Sequence, residues 1–182
     1  MVRSSQVRTR PRRRLSCAPN GIWHDALSPS SRAPKVDIAS FMEKYKHAWE
    51  TSDEDLLASL FSKEATYRNT PFAEQRGHEA IKAYWQRTKL QSDIHLKYEV
   101  LHSHETGGIA HWRTTYQVTS EELFRLWAAS VGTNLLSRKE GDPLPRLVLD
   151  GVAVVEFDAT GLCRDFRIFW HSQIERTEEF LR

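Results

Sequence analysis

The sequence predicts an α+β domain with helices grouped on one face of a curved antiparallel sheet. Three features carry that expectation. Ile38, Phe41, Met42, Tyr45 and Trp49 recur at helical spacing. Residues 94–101, 109–118 and 147–173 alternate apolar and polar side chains at the period of a strand. Turn signals at Thr106-Gly107-Gly108 and Ala159-Thr160-Gly161 join those stretches as hairpins.

In chain order, Asp37 is placed to cap the first helix. A second helix is expected from TSDEDLLASLF (51–61). Thr51 and Glu54 have capping-box spacing, acids fill its first turn, and Leu56, Leu57, Leu60 and Phe61 form its buried face. ATYRNTPF (65–72) reads as a short strand entering a proline loop. Gly77 precedes a third helix on which Ile81, Tyr84 and Trp85 share a face. Four strands follow. The first alternates Ile94, Leu96, Tyr98 and Val100 with His95, Lys97, Glu99 and Leu101. The second puts Ala110, Trp112, Thr114, Tyr116 and Val118 on one face, with Ile109, His111, Arg113, Thr115 and Gln117 on the other. The last two form the hairpin LVLDGVAVVEFDATGLCRDFRIFWHSQ (147–173).

Residues 120–146 interrupt the strands as an insertion. It starts as a helix, with Thr119 and Glu122 at capping-box spacing and Phe124, Trp127 and Val131 on one face; Gly132 weakens its middle. A segment of this length between strands suits a lid or an oligomer contact.

The 182 residues, 40% of them hydrophobic, suffice for one domain with a sizeable core. That domain is expected over residues 36–175, between a basic tail (1–35) and a short C-terminal tail (176–182). The basic tail carries eight Lys or Arg against Asp25 alone, +7, while the other 18 basic and 23 acidic residues leave −5. The tail lacks any period and is expected to be disordered: a dispensable leader, with an organelle-directing segment or a phosphate-binding arm as the alternatives. A mildly acidic domain argues against nucleic-acid binding. No run approaches the roughly 18 apolar residues of a membrane span. Two cysteines, Cys17 and Cys163, make no disulfide framework, which favours a reducing, cytoplasmic setting. His102 and His104 share a strand side without a third ligand and are read as solvent-facing, so no metal or cofactor is expected. Neither a phosphate-cradling Gly-rich loop nor a Gly-x-Ser-x-Gly elbow is present.

FMEKYKHAWETSDEDLLASLF, ATYRNTPF…GHEAIKAYW and LDGVAVVEFDATGLCRDFRIFWH together resemble the SnoaL-like proteins of the nuclear-transport-factor-2-like superfamily. The resemblance covers roughly Val36 to Gln173. It implies a cone: a curved sheet wrapped around three helices, with a ligand cavity inside and an outer sheet face that makes a homodimer. Where the ketosteroid-isomerase branch has a proton-shuttling Asp, this sequence has Asn69, which cannot act as a base. Tyr67, Asn69 and Arg113 match the limonene-epoxide-hydrolase branch, but its two aspartates fall on Thr115 and Ile168.

The resemblance places His111 and Arg113 inside the cone, His111 to move a proton and Arg113 to hold a developing oxyanion, with Asp150 as an alternative base. It implies substrate-positioning roles for Tyr67 and Asn69, and cavity walls from Trp85, Phe166, Ile168 and Trp170. Trp112 and Tyr116 would then face outward as a subunit contact. Two functions remain open. One is a cofactor-independent isomerase, cyclase or dehydratase working on a carbonyl compound. The other is a non-catalytic module, either one that binds a small apolar organic ligand with Arg113 only anchoring a carboxylate, or a dimeric interaction module.

Overall fold

A computed structural model of the chain describes residues 37–69, 73–131, 139 and 141–175. The expectations for the two tails, for Gly132 and for much of the insertion's second half lie outside the described residues. Helices α1 (Ile38–Glu50) and α2 (Glu54–Ser59) lead into strands β1 (Phe61–Asn69) and β2 (Ala73–Arg76). Helix α3 (Gly77–Trp85) runs on as a 3-10 turn, Gln86–Leu90. Strands β3 (Gln91–His104) and β4 (Gly107–Val118), helix α4 (Glu121–Ser130), and strands β5 (Arg146–Phe157) and β6 (Cys163–Ile174) complete the described chain.

The six strands form one curved, unclosed sheet in the order β2-β1-β6-β5-β4-β3. Every neighbouring pair is antiparallel except β1 and β6, which run parallel. The sheet is therefore mixed rather than wholly antiparallel. The β3–β6 meander reverses direction at each connection, and its last strand returns alongside β1 in β1's own sense.

The caps show how local chemistry sets the helix starts. Asp37 accepts from the Ser40 backbone N–H at 2.8 Å, as expected. For α2 the cap is Asp53, which accepts from the N–H groups of Asp55 (3.0 Å) and Leu56 (2.8 Å). Thr51 instead closes α1, its hydroxyl donating to the His47 carbonyl at 2.7 Å. Ser120 likewise caps α4, while Thr119 donates to the Leu90 carbonyl. Phe61, expected on the second helix, opens β1 beside Cys163.

The core is an aromatic stack between α1 and the sheet. The Phe166 ring lies 5.1 Å from Tyr45 and 4.9 Å from Tyr67, and Phe41 meets Phe61 edge-on. Each such side chain stabilises the fold by about 2–3 kcal/mol through burial, and ring pairing adds about 0.5–1.5 kcal/mol. On β4 the faces are the reverse of the expectation. Trp112 and Tyr116 turn inward and are 1% and 3% exposed. Gly151 makes room for Trp112, its partner across β5. A Cβ there would stand 2.4 Å from the Phe169 carbonyl and 3.0 Å from Trp112 Cζ2.

Candidate ligand-binding cavity

Strand alternation aims one row of each strand at the helices, and between them lies a cavity of about 120 Å³. Its lining includes Tyr45 and Trp49 of α1 and Trp112 and Tyr116 of β4. Asn69, Tyr84, Ile168 and Trp170 line it as well. Helix α4, the first part of the insertion, contributes Leu123, Leu126, Trp127 and Ser130 to the lining. Its position is fixed by Trp127, whose indole N–H donates to the Ser172 hydroxyl of β6.

Of the residues expected to bind substrate, Tyr67, Asn69, Trp85, Ile168 and Trp170 line this cavity. Phe166 is fully buried one layer beneath, packed under Tyr45 and Tyr67 rather than on the cavity surface. The expected catalytic trio is elsewhere. Arg113 is exposed on the outer sheet face, directly across from Asp150. His111 stands on that same face, its Nε2 2.9 Å from Asp150 Oδ1, with side chains 40% and 53% exposed. The expectation that His111 and Arg113 point into the cone is thus overturned, and Asp150 is not a buried base. The physical reason is simple. On a strand with one buried face, two large aromatics gain far more from burial than an arginine and a histidine do.

The interior polar groups are largely paired with one another. The hydroxyls of Tyr45 and Tyr67 share a hydrogen bond of 3.1 Å. The Trp49 indole N–H donates to Gln91 Oε1 at 2.8 Å. The Trp170 indole N–H donates to Asn69 Oδ1, and Asn69 Nδ2 donates to the Tyr84 hydroxyl at 2.5 Å. The Trp85 and Trp112 indole nitrogens are fully enclosed, and that of Trp112 has no hydrogen-bond partner.

Burial raises the phenols of Tyr45, Tyr67, Tyr84 and Tyr116 above their ordinary range, so all four stay protonated at neutral pH. Among the described residues, no carboxylate, imidazole or thiol lines the cavity. Its one charged member is Arg87, an exposed residue whose guanidinium lies 3.8 Å from the Tyr84 ring centroid. Such a lining can donate and accept hydrogen bonds and can stack on rings. It offers no proton acceptor suited to neutral pH. Tyr84, Trp49, Trp112, Gln91 and Trp127 also line the cavity and were not among the residues expected there. The aromatic stripe on α1 hinted at Trp49, whereas the pairing of Asn69 with Tyr84 left no local signal.

Residues 42–166 match the model of the SnoaL-like domain family. The chain belongs to that family. No curated protein matches the sequence. Solved structures similar to this SnoaL-like domain include the epoxide hydrolase/cyclase-like enzyme SalBIII, with a role in pyran ring formation in the polyether salinomycin. It is 12% identical, with a TM-score of 0.55, over 75% of this chain and 95% of that one. A putative scytalone dehydratase from Novosphingobium aromaticivorans is 13% identical, with a TM-score of 0.57, over 77% and 86%. An NTF2-like protein of unknown function from Exiguobacterium sp. is 19% identical, with a TM-score of 0.51, over 72% and 98%. At these identities the likeness shows the fold, and the SnoaL-like domain's function must be argued from its own cavity.

Proposed function

We propose that this SnoaL-like domain is a small-molecule-binding module whose cavity receives a single-ring, largely apolar compound. The size is of the right order for one ring, about 120 Å³ beside the roughly 150 Å³ of a cavity that takes up benzene. The observation that carries it is the composition of the lining: aromatic rings and neutral hydrogen-bonding groups, with Arg87 alone charged and exposed. The groups that would drive acid–base chemistry, His111, Arg113 and Asp150, lie across the sheet from the cavity.

An isomerase, cyclase or dehydratase acting on a carbonyl compound is the second reading. The phenols favour it, because protonated donors in a dry site can stabilise negative charge developing on oxygen. Such an enzyme would work by donation alone, with the proton acceptor supplied from outside the described lining.

The outer sheet face is proposed as a self-association surface. Phe169 is 53% exposed there, and it pairs in register with the partly buried Val152.

The test is recovery of the native ligand. Full-length protein purified under mild conditions is extracted for mass spectrometry, and a panel of single-ring compounds is then screened by thermal unfolding. A retained single-ring compound, or stabilisation of about 2.7 kcal/mol at a hundredfold excess over Kd, supports the binding reading. Conversion of the added compound over time favours the enzyme. Neither retention nor stabilisation by any compound overturns both.

A further inference from the structure

The hydrogen-bond chain at one end of the cavity has a direction, and that direction bears on what the ligand carries. An indole N–H can only donate, so the Asn69 oxygen must be the atom facing Trp170. The amide nitrogen then faces Tyr84, and it too can only donate. The Tyr84 oxygen is therefore an acceptor in this pair, and its own proton is left to point elsewhere. No described residue accepts that proton.

Most other polar groups around the cavity are engaged or enclosed: the Tyr116 hydroxyl, beside Gln91, is only 3% exposed, and the Arg87 guanidinium is exposed and stacked on the Tyr84 ring. Tyr45 and Tyr67 bond each other and are 1% and 2% exposed. The N–H groups of Trp49 and Trp127 are taken by Gln91 and Ser172, and those of Trp85 and Trp112 are fully enclosed. Tyr84 remains partly accessible while lining the cavity. The Asn69 N–H and the Arg87 guanidinium both draw electron density from its phenol, opposing the effect of burial and strengthening the hydroxyl as a donor.

Resting on the binding reading above, we propose that Tyr84 is the donor that recognises the ligand. The ligand is a neutral single-ring compound carrying an acceptor oxygen, a carbonyl or an ether. Trp170 and Asn69 are positioning residues: they hold the amide so that Tyr84 gives its proton away rather than spending it on Asn69.

The test titrates full-length protein with three probes of matched shape: acetophenone, α-methylstyrene (a CH2 in place of the oxygen) and benzoate. Wild type is expected to bind acetophenone about tenfold more tightly than α-methylstyrene, the worth of one hydrogen bond in a dry site. Tyr84→Phe abolishes that preference while leaving α-methylstyrene affinity within about twofold. Trp170→Phe frees the amide to turn its oxygen toward Tyr84, and the preference falls several-fold; this variant keeps the test intact should Tyr84→Phe fail to fold. Equal binding of the two neutral probes by wild type, tighter binding of benzoate, or a preference that survives in Tyr84→Phe overturns this assignment and leaves the binding reading standing. Failure of all three probes to bind overturns both.

Discussion

His111 on β4 and Asp150 on β5 meet across the outer side of the sheet, with Nε2 2.9 Å from Oδ1. The aromatic cavity lies on the opposite side, behind Trp112. Histidine, aspartate and the neighbouring Arg113 therefore have no route to a bound molecule. Substituting each by alanine is expected to leave ligand affinity within about twofold of wild type. An exposed polar contact of this kind contributes less than about 1 kcal/mol, so stability is expected to change by no more than that. Titration calorimetry and urea unfolding of the three variants check both outcomes.

This face assignment also marks how far the sequence could be read. Helical spacing from Ile38 to Trp49 and strand alternation from 94 to 173 were enough to expect the α+β architecture, because burial on one side of an element writes a period into its own residues. The same alternation split β4 into two correct rows without saying which row was inside. Judged by size and polarity, the row with Trp112 and Tyr116 belongs in the core. The family resemblance, which put Arg113 inside, pulled the assignment the other way. Tyr67, Asn69, Trp85, Ile168 and Trp170 were legible as cavity residues because they sit in the segments that carry the resemblance. In the Trp170–Asn69–Tyr84 chain the indole and the amide lie 101 residues apart in sequence, and no local pattern records such a contact.

The buried tyrosines predict a distinctive alkaline response. Burial holds the Tyr45 and Tyr67 phenols well above their ordinary value of 10.0. In the unfolded chain they ionise near pH 10, so the unfolded state loses protons first. Stability is then full below about pH 10 and falls as pH rises, by about 1.4 kcal/mol per pH unit for each tyrosine. Urea midpoints measured from pH 9 to 11.5 should show that slope, and Tyr45→Phe should make it shallower. Between pH 6 and 9 none of the four phenols changes charge, so ligand affinity is expected to stay flat. A bell-shaped dependence there would reveal a titrating group outside the described lining.

Gly151 predicts a packing limit. Its substitution by alanine sets a Cβ against the Phe169 carbonyl, the Trp170 Cβ and the Trp112 ring at once. Backbone atoms cannot step aside, so the expected cost is about 3 kcal/mol in urea unfolding, with Trp112 pushed toward the cavity. Gly141 provides the contrast. An added Cβ there meets nothing within 4 Å, and only its φ of +94° resists substitution, so Gly141→Ala should cost about 1 kcal/mol.

Helix α4 predicts a separation of stability from access. Trp127 is 6% exposed and anchored on Ser172, so Trp127→Ala should destabilise by about 3–5 kcal/mol. Leu126 also lines the cavity but is 50% exposed. Leu126→Ala should change stability by less than about 1 kcal/mol. It should also speed ligand dissociation several-fold in stopped-flow tryptophan fluorescence. Equal effects of the two substitutions on unfolding would show that α4 is a structural helix and not a cover.

With Trp112 and Tyr116 turned inward, self-association has to rest on a different apolar group, and Phe169 is the strongest candidate on the outer face. It stands 53% exposed, in register with Val152 and next in line to the Val154–Arg167 pair. A large exposed aromatic with aliphatic neighbours on the outer sheet face supports the proposed self-association, because leaving it in water forfeits about 2 kcal/mol. A symmetric pairing of two such faces would bury that ring against its own copy, and a carboxylate in its place would be desolvated without a partner. Sedimentation equilibrium of wild type should therefore report twice the chain mass, and Phe169→Glu should report a single chain with an unchanged circular dichroism spectrum. A wild-type protein that sediments as one chain at concentrations near 100 µM, about where weak self-association would still register, removes the outer face from consideration.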